Sequence, residues 1–391
     1  MKTQAYATLY LHDITDLSFP TASSERRYPD SKGWPVWFSR GWTLQEMIAP
    51  ADVRFFNKDW KALGDKRTLA PTLSRITRVP QHILADRFSS NNRPCAAQIM
   101  SWAADRTTSE VEDKVYSLFG LLGVNIPVMY GEGKEAFRRL QLEFVSKAND
   151  GSIFAWGFHR DSQRSGSILA DDPSFFRGCE NMELITPDEY LRHHRFQMPQ
   201  LWLMPYIRRD RYDPWVMTNR GIQCRTFLRP CVHSRLHFET PLPCRFGPSG
   251  PPVSIKLALW KDDFYRYFTS PEEKFPTKPT LLLGEVCFAY EDSLFRDAIQ
   301  NPHREFGPVH DITATRIMRG CFDPLGAVSE LVYDFATSPL HTTGRTDARF
   351  GLQCEDNNPQ VLLNESWHPI YTNQVDLCFP FFYEPFVIFK V

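Results

Sequence analysis

The chain has 391 residues, with 45 lysines and arginines against 46 aspartates and glutamates, a formal charge of -1. That length suits two or three domains with buried cores. The balanced charge gives no electrostatic case for nucleic acid or for an anionic membrane surface as a partner. Aromatics at 14% and 30 prolines point to loop-rich β structure with large aromatic core residues. Nine scattered cysteines form no CxxC pair, and no signal-peptide pattern opens the chain, so reduced thiols in the cytosol are expected. No run of about 18 apolar residues predicts a transmembrane helix. The aromatic tail Phe379–Phe389 reads as a closing core strand.

In chain order, Tyr6–Leu11 is a β-prone apolar run, and residues 18–33 are polar, with Pro and Gly, and predict a loop. Trp34, Trp37 and Phe38 lead into Arg40-Gly41-Trp42-Thr43-Leu44-Gln45-Glu46. Leu44, Met47 and Ile48 lie at helical spacing, Pro50 stops the helix, and Val53–Phe56 reads as a short buried strand. Helices are predicted over Thr68–Ile76 and over Pro94–Ala104, the second with an Ala96/Ile99/Met100/Ala103 face. Ser109 and Glu112 match the S-x-x-E capping box, and Val111, Val115, Leu118 and Leu122 follow at helical spacing. Gly131-Glu132-Gly133-Lys134 lacks the P-loop spacing and reads as a structural turn before a helix striped by Ala136, Phe137, Leu140, Phe144 and Val145.

Ser152–Gly157 reads as a strand or extended connector, and the polar stretch 160–166 is the preferred boundary. Asp172 is a predicted cap for a short helix holding Phe175 and Phe176. From about Arg208 the texture turns to β, with alternation over Gly221–Leu228 and Val253–Leu259, a strand over Leu281–Tyr290, and late strands at 361–363 and 386–389. Pro/Gly/Ser turns between them suggest an antiparallel sandwich or half-barrel.

Several blocks resemble the fungal heterokaryon-incompatibility (HET) domain family. RGWTLQEMIAP followed by VRFFNKDW is similar to that domain's central block, and AYATLYLHDI to one of its strands. MSWAADRTTSEVEDKVYSLFGLLGVNIPVMYGEGKEAFRRLQLEF and SIFAWGF look like the helical extension that follows it. The resemblance runs from roughly residue 5 to residue 160. SILADDPSFF and MTNRGI resemble, less specifically, the β-rich region of such proteins. It implies an α/β plus all-β chain. Residues 1–70 would be the C-terminal part of a TIR-like HET domain with a partial parallel sheet. Residues 71–160 would be the helical extension, and 161–391 a mostly antiparallel β-rich domain. The implied role is non-self recognition and programmed cell death in the cytoplasm, through association with other incompatibility or signalling proteins or with itself.

The resemblance also implies an alternative. Enzymatic TIR domains cleave the nicotinamide–ribose bond of NAD with a helix-borne glutamate, and Glu46 occupies the equivalent place. Nicotinamide leaves as a neutral molecule, so a fixed carboxylate that stabilises an oxocarbenium-like centre would suffice. By residue type, Arg40 would pair with a phosphate, and Trp42 or Trp37 would stack on a flat ring. The chain begins at the family's third strand, without the part that would wall a pocket, so association is the first reading and NAD cleavage the second. NAD enters as substrate; no resident cofactor or metal is implied.

Other candidates have plainer readings. His193-His194 reads as a surface patch, because adjacent side chains point apart. Asp105, Glu110, Glu112 and Asp113 suit a helix start. Arg106 would pair with one of them or with Glu46. Cys95 and Cys321 read as buried thiols.

Overall fold

The computed structural model describes residues 6–85, 93–159, 166–194, 197, 213–234, 236–260, 263–268, 276–278 and 281–290, and four short strands beyond residue 330. The chain folds as two compact units. The first comprises Met1–Arg164, Leu169–Ile185 and Leu242–Val253, the second Ser165–Ile168, Thr186–Pro241 and Ser254–Val391.

In the first unit, β1 (Tyr6–Tyr10), β2 (Asp52–Phe56) and β3 (Ala62–Asp65) form one sheet in that order. β1 and β2 are parallel, in register from Tyr6↔Asp52 to Tyr10↔Phe56. A parallel pair cannot be joined by a tight turn. The connection here contains α1 (Thr43–Ile48), preceded by one-turn helices at Pro29–Ser31 and Val36–Ser39. β3 runs antiparallel to β2, so the sheet is mixed and not the all-parallel one expected. Val53 and Phe55 alternate into the core, where Phe55 meets Phe19 at 5.8 Å and Trp37 at 6.2 Å, both edge-on. Leu44, Met47 and Ile48 of α1 are buried, as their spacing predicts.

Five further helices follow in this unit after α2 (Ala70–Thr77): α3 (Gln81–Ala85), α4 (Ala96–Ala103), α5 (Val111–Tyr116), α6 (Phe119–Leu122) and α7 (Glu135–Lys147). The expected α7 stripe is buried in full. α4 is buried on nearly every side, so its first amides need partners from the protein. Asp150 Oδ2 accepts from Ala96 N at 2.8 Å, and Ser152 Oγ from Ala97 N at 3.1 Å. Asp150 Oδ1 meanwhile accepts from Ser152 N and Oγ at 3.0 and 2.6 Å. This doubly used carboxylate winds Gly151–Phe154 into a one-turn helix, where a strand or extended connector was expected. Burial pushes the Asp150 carboxyl above its ordinary range against those hydrogen bonds. Asp172 caps Pro173–Phe176 as predicted, accepting from Ser174 N at 2.8 Å. β4 (Met182–Leu184) pairs antiparallel with the Cys244–Phe246 end of a later strand.

Further along the chain, α8 (Pro187–His194) precedes β5 (Val216–Met217), β6 (Gly221–Pro230), β7 (His237–Phe246), β8 (Pro252–Trp260), β9 (Asp263–Arg266) and β10 (Leu282–Ala289). All of these fall in the second unit except Leu242–Phe246 of β7 and Pro252–Val253 of β8. The strands neighbour in the order β7-β8-β9-β10-β6-β5, and β6 also pairs with β7. The five from β6 to β10 therefore close into a barrel-like ring, which removes open edges. β8 with β9, β10 with β6, β6 with β7 and β5 with β6 pair antiparallel, and β9 with β10 parallel. Phe238 and Phe264 meet edge-on at 5.5 Å inside it. The expectation of a histidine surface patch is half right. His193 is exposed, but α8 turns His194 inward against Tyr190 and Phe227, at 4.8 and 5.4 Å. Burial pulls the His194 imidazole down to about 4.

Two hairpins, β11 (Leu331–Tyr333) with β12 (Leu340–Thr342) and β13 (Phe350–Glu355) with β14 (Asn358–Leu363), stand later in the chain, and β14 takes in the strand expected at 361–363. The boundary expected at 160–166 lies, but for Gly166, outside the described residues, as do Cys321 and the strand expected at 386–389. Among the described residues no helix is long and apolar enough to cross a membrane.

Asp150→Ala leaves two helix starts without their acceptor. It should lower the free energy of unfolding by about 2 kcal/mol, read as a lower urea midpoint at unchanged slope.

Candidate functional site

The Arg40–Glu46 stretch is held from one side by two consecutive residues, Arg106 and Thr107. Thr107 bridges Arg40 in parallel, donating its amide to Ser39 O at 2.7 Å and accepting the Gly41 amide on its own carbonyl at 2.9 Å. The packing is close: a Cβ at Gly41 would lie 2.5 Å from Thr108 Cγ2, so the threonine methyl would have to shift to admit one.

Arg106 is 4% exposed and enters beneath the turn. Its Nη1 donates to Arg40 O and to Thr43 Oγ1, both at 2.8 Å, and its Nε to Trp102 O at 3.3 Å. Thr43 Oγ1 in turn donates toward Trp37 O and Arg40 O, at 2.7 and 2.8 Å. Neither expected carboxylate partner is there: the guanidinium faces carbonyls and a hydroxyl. Burial pulls it down to about 9, which still leaves it charged at neutral pH. Asp105 faces the other way and gathers Lys32, Arg78 and Arg177 at 2.9, 3.1 and 2.8 Å. Burial acts to raise the Asp105 carboxyl, but the three cations outweigh it and hold it at about 2.

α1 is closed at its other end by a buried lysine. Lys66 Nζ donates to Met47 O at 3.2 Å, one of the carbonyls the helix C-terminus leaves over, and to Pro50 O at 2.6 Å just beyond it. Sequence reasoning missed Lys66, because a lysine is ordinarily exposed and nothing in its neighbours marks it.

On this scaffold Arg40, Trp42 and Glu46 all stand exposed. Trp42 begins α1 at 41% exposure, and Glu46 lies one turn on, its amide bonded to Trp42 O at 3.3 Å. Spacing of four puts these two on one helix face. Trp37, the other stacking candidate, is buried edge-on to Phe38 at 5.0 Å and is not available to a ligand.

The Gly131–Lys134 turn is structural. Glu112 accepts the amides of Gly131 and Gly133 at 2.9 and 2.8 Å, so the donors a phosphate would need are taken. Those amides hold the Glu112 carboxyl below its ordinary range. The Ser109/Glu112 capping box does not form: Glu110 is the N-cap of α5, and Glu112 is committed to the turn. The described cysteines are all buried as free thiols, and burial pushes Cys95 up to about 12. No cluster of metal-ligating side chains occurs among the described residues.

No protein-family model matches the chain, and no solved structure matches it. A stretch of 122 residues, 30% of the chain, is 42% identical to the vegetative incompatibility protein HET-E-1 of Podospora anserina. The chain is a partial homologue of a vegetative incompatibility protein. The matched stretch spans 8% of that protein's length.

Arg106→Ala should cost about 3 kcal/mol, because it strips partners from two buried acceptors at once. Glu46→Gln and Trp42→Ala, on the exposed face, should leave the urea midpoint where it is. Asp105 contributes stability above the ordinary carboxylate range near 4 and loses it as pH falls toward about 2. Asp105→Asn should therefore flatten the acid limb of the stability profile between those values.

Proposed function

We propose that the chain acts in vegetative incompatibility as a non-self recognition component that signals programmed cell death in the cytoplasm. It works by protein–protein association, with other incompatibility or signalling proteins or with itself. The observation that carries this reading is the 42% identity to a vegetative incompatibility protein over 122 residues. It is supported by a rigidly held turn that presents an arginine and a tryptophan to solvent, residue types that anchor protein interfaces. The reading relates the β1–β3 sheet to a TIR-like HET domain, with support from the parallel pair joined through α1.

A second reading has Glu46 as the essential carboxylate of NAD cleavage. Its support is the position of Glu46 on α1 between two parallel strands, with Trp42 on the same face. The exposure of Glu46, Arg40 and Trp42 favours association over chemistry, because a catalytic carboxylate works best away from bulk water.

Induced expression of the full chain in fungal hyphae should arrest growth and stain cells for death, and Arg40→Glu with Trp42→Ala should abolish the effect. Hyphae that grow normally under the intact chain sink the incompatibility reading. Purified chain incubated with NAD should release no nicotinamide; release that disappears in Glu46→Gln would replace the first reading with the second.

A further inference from the structure

The turn between β2 and β3 carries a tryptophan in an unusual conformation. Trp60 has φ +58, the left-handed region that a bulky side chain rarely enters. It is also 62% exposed, so no burial compensates for the backbone. The conformation is imposed from below by Asn57, which is fully buried. Asn57 Oδ1 accepts the amides of Asp59 and Lys61 at 3.0 and 2.8 Å, and its Nδ2 donates to Asp16 O at 2.9 Å. The Asn57 amide donates to Lys61 O and the Trp60 amide to Asn57 O, both at 3.0 Å. From the side, Tyr10 donates its hydroxyl to Lys58 O at 3.0 Å. A strained backbone persists only where its surroundings over-determine it, and such strain gathers at functional positions.

The result is a fixed aromatic platform. Tyr10 and Trp60 stack at 4.8 Å with 25° between their planes, and Phe56 lies 6.0 Å from Trp60. Tyr10 and Phe56 are register partners on β1 and β2, and Thr8 and Arg54 continue the same face. Leu17, beside the Asp16 that receives Asn57, is also strongly exposed. Arg54, Lys58 and Lys61 are exposed around these rings, with Asp59 as a carboxylate in the turn itself. Asp52 pairs with Arg67 at 3.9 Å. Three cations thus frame an apolar centre.

We propose that this face, Tyr10, Phe56 and Trp60 framed by Arg54, Lys58 and Lys61, is a docking surface for an acidic, apolar-anchored segment of a partner protein. Tryptophan, tyrosine and arginine are the residue types that dominate interface energies, and a rigid platform loses little freedom on binding. A single-stranded nucleic acid also combines negative charge with flat groups. Two observations favour the peptide. The two exposed rings already cover each other on one side, so no gap remains between them for a base. The whole chain carries a formal charge of -1, which repays no long polyanion. The inference rests on the association reading only in expecting a protein partner, and its binding test can fail while the hyphal assay succeeds.

The test uses the full chain and fluorescein-labelled twelve-residue peptides that alternate glutamate with leucine and phenylalanine. Controls are the same peptide with glutamine for glutamate, one with lysine for glutamate, and an oligothymidylate of fifteen nucleotides. The acidic peptide should bind most tightly, and added salt should weaken it. Trp60→Gly should melt where the native chain does, because glycine accepts the left-handed turn, yet bind the peptide at least ten-fold more weakly. Lys58→Glu with Lys61→Glu should lose the acidic peptide and gain the lysine one, which a merely structural role would not produce. Equal binding by Trp60→Gly and native chain, tighter binding of the oligonucleotide, or no acidic-peptide binding at millimolar concentration overturns the proposal. So does a dimer in sedimentation velocity that Trp60→Gly dissolves, since a second copy would then be the occupant.

Discussion

A buried guanidinium without a carboxylate is the constraint on which the first unit depends. Arg106 sits under the turn that joins the parallel strands. Its Nη1 and Nε donate to the carbonyl of Arg40, the hydroxyl of Thr43 and the carbonyl of Trp102, while its Nη2 is buried without a partner among the described residues. A charge in that position is costly to desolvate. Against that cost, its two donor nitrogens tie Arg40, Thr43 and Trp102 together, the farthest of them 66 positions away in the chain. The interaction is directional, so it sets the path of the chain as well as its stability. A parallel bridge joins Arg40 to Thr107, and α1 begins three residues later at Thr43.

The same device recurs. Lys66 closes the end of α1 through Met47 O and the Pro50 carbonyl just beyond it, Asp150 opens α4 through its first amide, and Glu112 holds the amides of Gly131 and Gly133. In each case a buried ionisable side chain serves backbone groups of another segment, where an ion pair would have been the simpler guess. Short helices make this necessary. A helix of six or eight residues has more unpaired end groups than internal hydrogen bonds, so its ends must be completed by the tertiary structure. Several helices of the first unit are of that length.

These constraints leave function to what stands outside them. Arg40, Trp42 and Glu46 project from a fixed turn, and Tyr10 and Trp60 from another. Both surfaces are rigid where they are exposed, which suits recognition by shape and charge. A role in association draws on that rigidity directly. An enzymatic role would need, in addition, walls that keep water from Glu46.

The sequence by itself determined the parts whose signal is local. The short strand at Val53–Phe56, the alternation in Val253–Leu259, the apolar stripe of α7, the short α1 stopped by Pro50 and the Asp172 cap all follow from neighbours within a turn or two. The exposure of Glu46 off the Leu44/Met47/Ile48 stripe was legible in the same way. Only the tertiary structure decided which polar groups meet. Arg106 and Arg40 are 66 positions apart and Asp150 and Ala96 are 54 apart, and no periodicity links them. The capping box at Ser109 failed for the same reason: Glu112 had a better pair of amides in a segment the local pattern cannot see. Side-chain type announces that a buried charge must be answered, while the partner is named only by the fold that brings distant backbone within 3 Å.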